Sequence, residues 1–183
     1  VGTWPSPFWL NHIDCTWRGE GGDVGWIGKG DDREQWITFR DHYCYHGVVS
    51  RAPLYPLNSL MHHGIVHGRC FQGARVSKAG SDLKNEARSY FGAGPTLQEL
   101  YLTPSMMSKS SWKHVGQAAR WAHKNADVLL DTHWIGGVPG KLEPYGYASW
   151  SPRKGTLTLR NPDSVPQDFP LDIQKVFELP REA

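Results

Sequence analysis

From its amino end to Asp127 the chain alternates short apolar runs with amphipathic stretches, and beyond Asp127 it changes to the pattern of antiparallel strands. Asp31 or Asp32 can cap a helix in which Trp36, Phe39 and Tyr43 recur at spacings of three and four and share one face. That helix is predicted to end between Gly47 and Arg51, before Pro53, and Leu57–Met61 then reads as a short buried strand. A second helix is predicted from Ser81 to Gly92 or Gly94, followed by a strand over Thr96–Leu102 that Pro104 stops. A third opens at Ser110 or Ser111, where Trp112, Val115, Ala119, Ala122 and Ala126 hold the helical period for roughly four turns. Trp112 and Trp121 lie on or near that stripe and are assigned to the core. Upstream of these, Val1–Thr16 reads as a strand ending near Thr3, a turn bounded by Pro5 and Pro7, and a strand over Asn11–Cys15. Buried strands alternating with helices imply a parallel sheet. Tyr145–Trp150, the turn Ser151–Gly155 and Thr156–Arg160 form a predicted hairpin, and Phe169, Leu171, Ile173 and Val176 alternate in part. A boundary falls between residues 126 and 136.

Length and composition exclude several classes. At 183 residues the chain is one domain, or one and a fraction. A hydrophobic content of 39% with 21% charged residues excludes a disordered tail. No apolar run approaches the roughly 18 residues of a membrane span, so no membrane association is expected. Lys plus Arg total 20 against 18 Asp plus Glu, and the basic residues are scattered, which argues against nucleic acid as a partner. The three cysteines, Cys15, Cys44 and Cys70, are an odd number and exclude a full disulfide framework. The chain opens Val1-Gly2-Thr3-Trp4-Pro5 without an initiator Met or a signal peptide, so the natural start is expected upstream.

In parallel sheets ligands bind beyond the carboxyl ends of the strands. The residues there are Trp4, Asp14 to Asp23, Asn58 to His63, and Gln98 to Tyr101. They combine carboxylates, an arginine, amides, imidazoles and indoles, a mixture that suits carbohydrate: rings stack on the apolar sugar face and polar groups bind hydroxyls. Trp17–Asp32 holds six glycines and reads as a long functional loop. Within it Asp23 and Glu20 are candidate acids, and each is also explained as a turn or solvated loop residue. Glu99 is placed at the fourth strand end, to bind substrate or to pair with an arginine. His62 is the candidate for a sugar hydroxyl. A rival reading takes His42 and His46, four apart on a helix, with Cys44, His62, His63, His67 and Cys70 as a metal site. The cysteines form no CxxC pair and no HExxH motif is present, so no metal and no cofactor is assigned.

Trp17-Arg18-Gly19-Glu20-Gly21-Gly22-Asp23 resembles the Trp-Arg…Asp segment of the α-galactosidase and α-N-acetylgalactosaminidase clan, the melibiase-like glycoside hydrolases. Arg88–Leu97 is similar to that clan's last helix–strand passage. Leu130–Trp134 with Tyr147–Pro152 is similar to the start of its C-terminal sandwich. The nearest likeness is to large bacterial proteins labelled "enterotoxin". The resemblance implies the second half of a (β/α)8 barrel over residues 1–130, from its fifth strand to its eighth helix, followed by part of an antiparallel β-sandwich over residues 131–183. It implies a retaining α-glycoside hydrolase with Asp23 as general acid/base and Arg18 as a substrate or carboxylate ligand. Trp4, Trp17 and Trp134 are candidate stacking rings, assigned by position. It places the nucleophile aspartate at the end of a fourth strand that this chain does not include. A carbohydrate substrate is implied, together with the first half of the barrel or a second copy to cover the open sheet edges, and an extracellular or periplasmic location. The alternatives are a carbohydrate-binding remnant without activity and the His/Cys metal protein.

Overall fold

The computed structural model describes residues 8, 11–17, 25–52, 56–69, 75–76 and 82–180. The strand expected near Thr3 lies outside them. Residues 11–15, expected as a strand, are turn and coil, and strand β1 is Thr16–Trp17.

Helix α1 runs Asp32–Gly47, where the sequence places it. Asp31 holds an extended backbone and its carboxylate accepts from the Arg33 and Glu34 amides at 2.9 Å each, so exposed donors of the first turn are satisfied. A 3₁₀ turn, Val49–Arg51, follows the helix. The expected strand Leu57–Met61 is a 3₁₀ turn, Leu57–Ser59, and a two-residue strand β2, Leu60–Met61. After His62, His63 and Gly64 comes β3, Ile65–His67, a strand the apolar pattern does not single out. Helix α2 is Lys84–Gly92, β4 is Leu100–Leu102, and α3 is Lys109–Lys124, capped by the Ser108 hydroxyl, which accepts from the Ser111 amide at 3.0 Å. Strands β5 (Thr132–Gly136), β6 (Tyr145–Ser151) and β7 (Lys154–Arg160) are antiparallel, and β6 and β7 make the predicted hairpin. The tail coils into a one-turn helix α4, Ile173–Val176, rather than a strand.

The described strands pair as β1 parallel to β2, β3 parallel to β4, and β5-β6-β7 in antiparallel order. Half a (β/α)8 barrel followed by a β-sandwich is therefore corrected. The parallel strands are two or three residues long, and the ladder breaks at His62–Gly64, so β1 and β4 pair with different pieces of chain. A sheet this short and interrupted does not curve toward closure. The antiparallel sheet meets helices where a sandwich would need a second sheet: Tyr145 of β6 bonds Asp41 of α1, and Thr158 of β7 lies against Gly92 of α2.

Two apolar clusters hold these layers. One packs Ala87, Tyr90 and Phe91 of α2 with Val115, Ala118 and Ala122 of α3 over Ile65 of β3. The other gathers Trp36, Ile37 and Phe39 of α1 with Val66 and Val76. The alanines on α3 let the helices approach closely, and that leaves no room for indoles between them. Trp112 and Trp121, expected in the core, stand 47% and 37% exposed.

Gly92 lies hard against the antiparallel sheet, because a Cβ there would overlap the Thr158 side chain. Gly92→Ala is expected to lower unfolding free energy by about 1–3 kcal/mol through overpacking, measured by urea denaturation. An unchanged midpoint would show that the helix and sheet separate freely.

Candidate functional site

Trp17 ends β1 and lies opposite Met61, which ends β2. The chain therefore leaves both strands at the same end, β1 into Arg18 to Asp23 and β2 into His62 and His63. Trp4, Arg18, Asp23, Glu20 and the Trp17 ring lie outside the described side chains.

His62 is buried, and its Nε2 stands 3.1 Å from Oδ1 of Asp41. Arg40 Nε donates to that same oxygen at 2.9 Å. The other oxygen accepts from the Ser89 hydroxyl at 3.2 Å and the Tyr145 hydroxyl at 2.6 Å. Arg40 Nη2 in turn donates to Ser89 Oγ at 3.0 Å. Asp41 as a carboxylate only accepts, so His62 presents Nε2–H to it. Burial raises the Asp41 carboxyl, but the Arg40 charge and the His62 hydrogen bond outweigh it and hold the group well below the usual carboxylate range. Burial and the Asp41 charge push Tyr145 well above the usual phenol range, so the hydroxyl stays a donor. His62, expected from sequence to meet a sugar hydroxyl, directs its Nε2–H inward to Asp41.

Glu99 directly precedes β4, at the amino end of the strand rather than the carboxyl end. Its Oε2 accepts from the Gly64 amide at 3.3 Å and its Oε1 from the Tyr101 hydroxyl at 3.0 Å. The Tyr90 hydroxyl lies 2.7 Å from the Glu99 amide as its acceptor, and burial pushes that phenol up to about 12. Trp134 adjoins the Asp41 group through Tyr145. Its ring stacks on Tyr145 at 4.9 Å and meets Tyr45 of α1 at 5.4 Å, and its indole N–H donates to Gly137 O at 3.2 Å. It packs β5 and β6 onto α1.

A second buried network escaped the sequence reading. Arg33 of α1 pairs with Glu86 of α2, and Trp36 Nε1 donates to the same carboxylate at 2.9 Å. Arg33 also donates to the carbonyls of Val66 and Val76 at 3.1 Å each. Its Nη2 reaches Nδ1 of His67 at 3.1 Å, which makes Nδ1 the acceptor and directs Nε2–H to Met106 O at 3.1 Å. The signal for both networks was present: residues 33, 36, 37, 40, 41 and 44 form one helical stripe, and all are buried. Three of them are charged, and a charge on an apolar stripe predicts a partner across the core.

Among the described residues no three His, Cys, Asp or Glu side chains converge to hold a metal. His42 and His46 stack at 6.0 Å, while His62 and His67 are turned to Asp41 and Arg33. No helix among them is long and apolar enough to cross a membrane.

Unfolded Asp41 takes up a proton near pH 3.8, and the folded group does so only far lower. Its contribution is therefore whole above about pH 4 and is lost on acidification below that, by about 1.4 kcal/mol per pH unit. Tyr145→Phe is expected to lower stability by about 1.5–3 kcal/mol at neutral pH, as a hydrogen bond to a charge is lost. Asp41→Asn is expected to cost about 3–5 kcal/mol, because Arg40 loses its buried counter-charge. It should also flatten the fall in stability below about pH 4 by roughly 1.4 kcal/mol per unit. Urea titrations at stepped pH check both, and an acid slope unchanged by Asp41→Asn would overturn the assignment. Comparisons with family models, curated proteins and solved structures found no match to this chain.

Proposed function

We propose that this chain belongs to a carbohydrate-active protein, a retaining α-glycoside hydrolase of galactose or N-acetylgalactosamine type, with Asp23 as its general acid/base. The observation that supports this reading is the β1–β2 register. It sets Trp17, the first residue of the Trp17-Arg18…Asp23 motif, beside Met61, which directly precedes His62 and His63, at the carboxyl ends of paired parallel strands, where ligands of open α/β sheets bind.

In this reading Asp23 protonates the glycosidic oxygen as the bond to the anomeric carbon breaks, then removes a proton from the water that releases the sugar. Arg18 neutralises a carboxylate or holds a hydroxyl. Retention requires a second carboxylate about 5–5.5 Å from the first to attack the anomeric carbon. Asp41 does not suit that role, since each of its oxygens already accepts two hydrogen bonds in a buried setting. Glu99 does not suit it either, with both oxygens engaged at the amino end of β4. The nucleophile is therefore assigned to another residue.

The test is hydrolysis of nitrophenyl α-galactoside and α-N-acetylgalactosaminide by the natural full-length protein, beside an unactivated α-linked disaccharide. Asp23→Asn is expected to lower turnover of the disaccharide by about 10²–10⁴-fold. The loss should be smaller on nitrophenyl substrates, whose leaving group needs little protonation. Equal rates for parent and variant would remove Asp23 from the chemistry. Saturable galactoside binding with no turnover by the parent would replace hydrolysis with recognition alone.

A further inference from the structure

The outer face of α2, α3 and β7 encloses an open groove of about 630 Å³, away from the strand ends. Its size suits a mono- or disaccharide. On the α2 side lie Lys84 and Arg88, four residues apart and so on one face of the helix. Both are exposed. Among the described residues neither side chain has an ion-pair or hydrogen-bond partner. Like charges at this spacing repel, and an anion set between them relieves that repulsion. On the α3 side stand the half-exposed Trp121 ring and the Gln117 amide. Leu159 of β7, 50% exposed, closes the far wall. His114 lines the groove as well, but its Nε2 faces Asp82 at 3.0 Å, leaving the two α2 cations as the groove's open charge.

The groove thus joins the apolar surface of an indole and a leucine with an amide and two cations that no described residue pairs. The ring and the leucine offer a surface that the apolar face of a sugar can cover. The cations can take a carboxylate or sulfate, which the guanidinium of Arg88 can bind through two parallel hydrogen bonds. The amide can bond a hydroxyl. We propose that this groove binds an acidic saccharide, a pyranose carrying a carboxylate or a sulfate ester, with its apolar face on Trp121 and its anion at Lys84 and Arg88. The site shares no residue with the strand-end site, so each stands or falls without the other.

The experiment is titration of the full chain, followed by Trp fluorescence and calorimetry, with a galacturonate disaccharide, galactose 6-sulfate, neutral galactobiose, inorganic sulfate and a short poly-glutamate peptide. Saturable binding of the uronate or the sugar sulfate, weak or absent for galactobiose, is the expected result, and whichever binds tighter identifies the anion. Arg88→Gln and Trp121→Ala change exposed side chains, and circular dichroism is expected to show an unchanged fold for both. Each is expected to weaken that binding by about tenfold or more, the loss of one charged hydrogen bond or one stacking face. Three results would overturn the proposal: no saturable binding of either acidic sugar, equal affinity in parent and both variants, or sulfate ion or poly-glutamate binding as tightly as the acidic sugars. The last would make the groove a general anion or peptide surface.

Discussion

A single carboxylate joins the main layers of this molecule. Asp41 lies wholly inside, and donors reach it from its own helix, from the turn after β2, from α2 and from β6. An ion this deep is tolerated only when its charge is balanced and its lone pairs are filled, and both conditions hold here. Apolar contacts alone leave neighbouring elements free to slide, because burial is not directional. Four directed bonds on one carboxylate fix where α1, α2 and the antiparallel sheet meet.

The Arg33–Glu86 pair repeats the device about two turns earlier on α1. There the positive partner sits on α1 and the negative one on α2. Arg33 also gathers the carbonyls of Val66, in the middle of β3, and of Val76, so a buried guanidinium satisfies backbone acceptors that no neighbouring strand among the described residues reaches. Between them the two networks take the place of the long ladders that a larger parallel sheet would use. Strands of two and three residues hold position because side chains pin the chain on either side of them.

Helices were the legible part of the sequence. Their caps and periods are local, so Asp31, Trp36 and the Val115–Ala122 face announce themselves without knowledge of the rest. The β6–β7 hairpin was legible for the same reason: its turn and its alternation lie within one stretch. The parallel strands were legible in part: β2 and β4 lie inside the expected runs Leu57–Met61 and Thr96–Leu102 but are shorter, and β3 went unseen because three residues after His62-His63-Gly64 carry no period. The hydrogen-bond partners of His62 and Glu99 were not legible, because they lie far along the chain, Asp41 for one and Gly64 for the other. Trp121 was misjudged in the opposite direction. Its place on the helix fits a buried stripe, but alanines already fill the contact with α2 and the indole is left outside. The Trp17 to Asp23 motif remains a reading of residues and of the register at its first position.

The bond between Asp41 and Tyr145 spans 104 residues. Closing a loop of that length costs entropy before any contact repays it, so this junction is unsuited to be an early event in folding. The α2–α3 pair and the β6–β7 hairpin, each local, can form first. Until Tyr145 arrives, Asp41 and Arg40 are held beside open solvent rather than sealed inside. Docking of the antiparallel sheet is thus the step that excludes water from the charge, and a sheet docked out of register would leave an ion dry and short of a donor, at a cost that disfavours such a state.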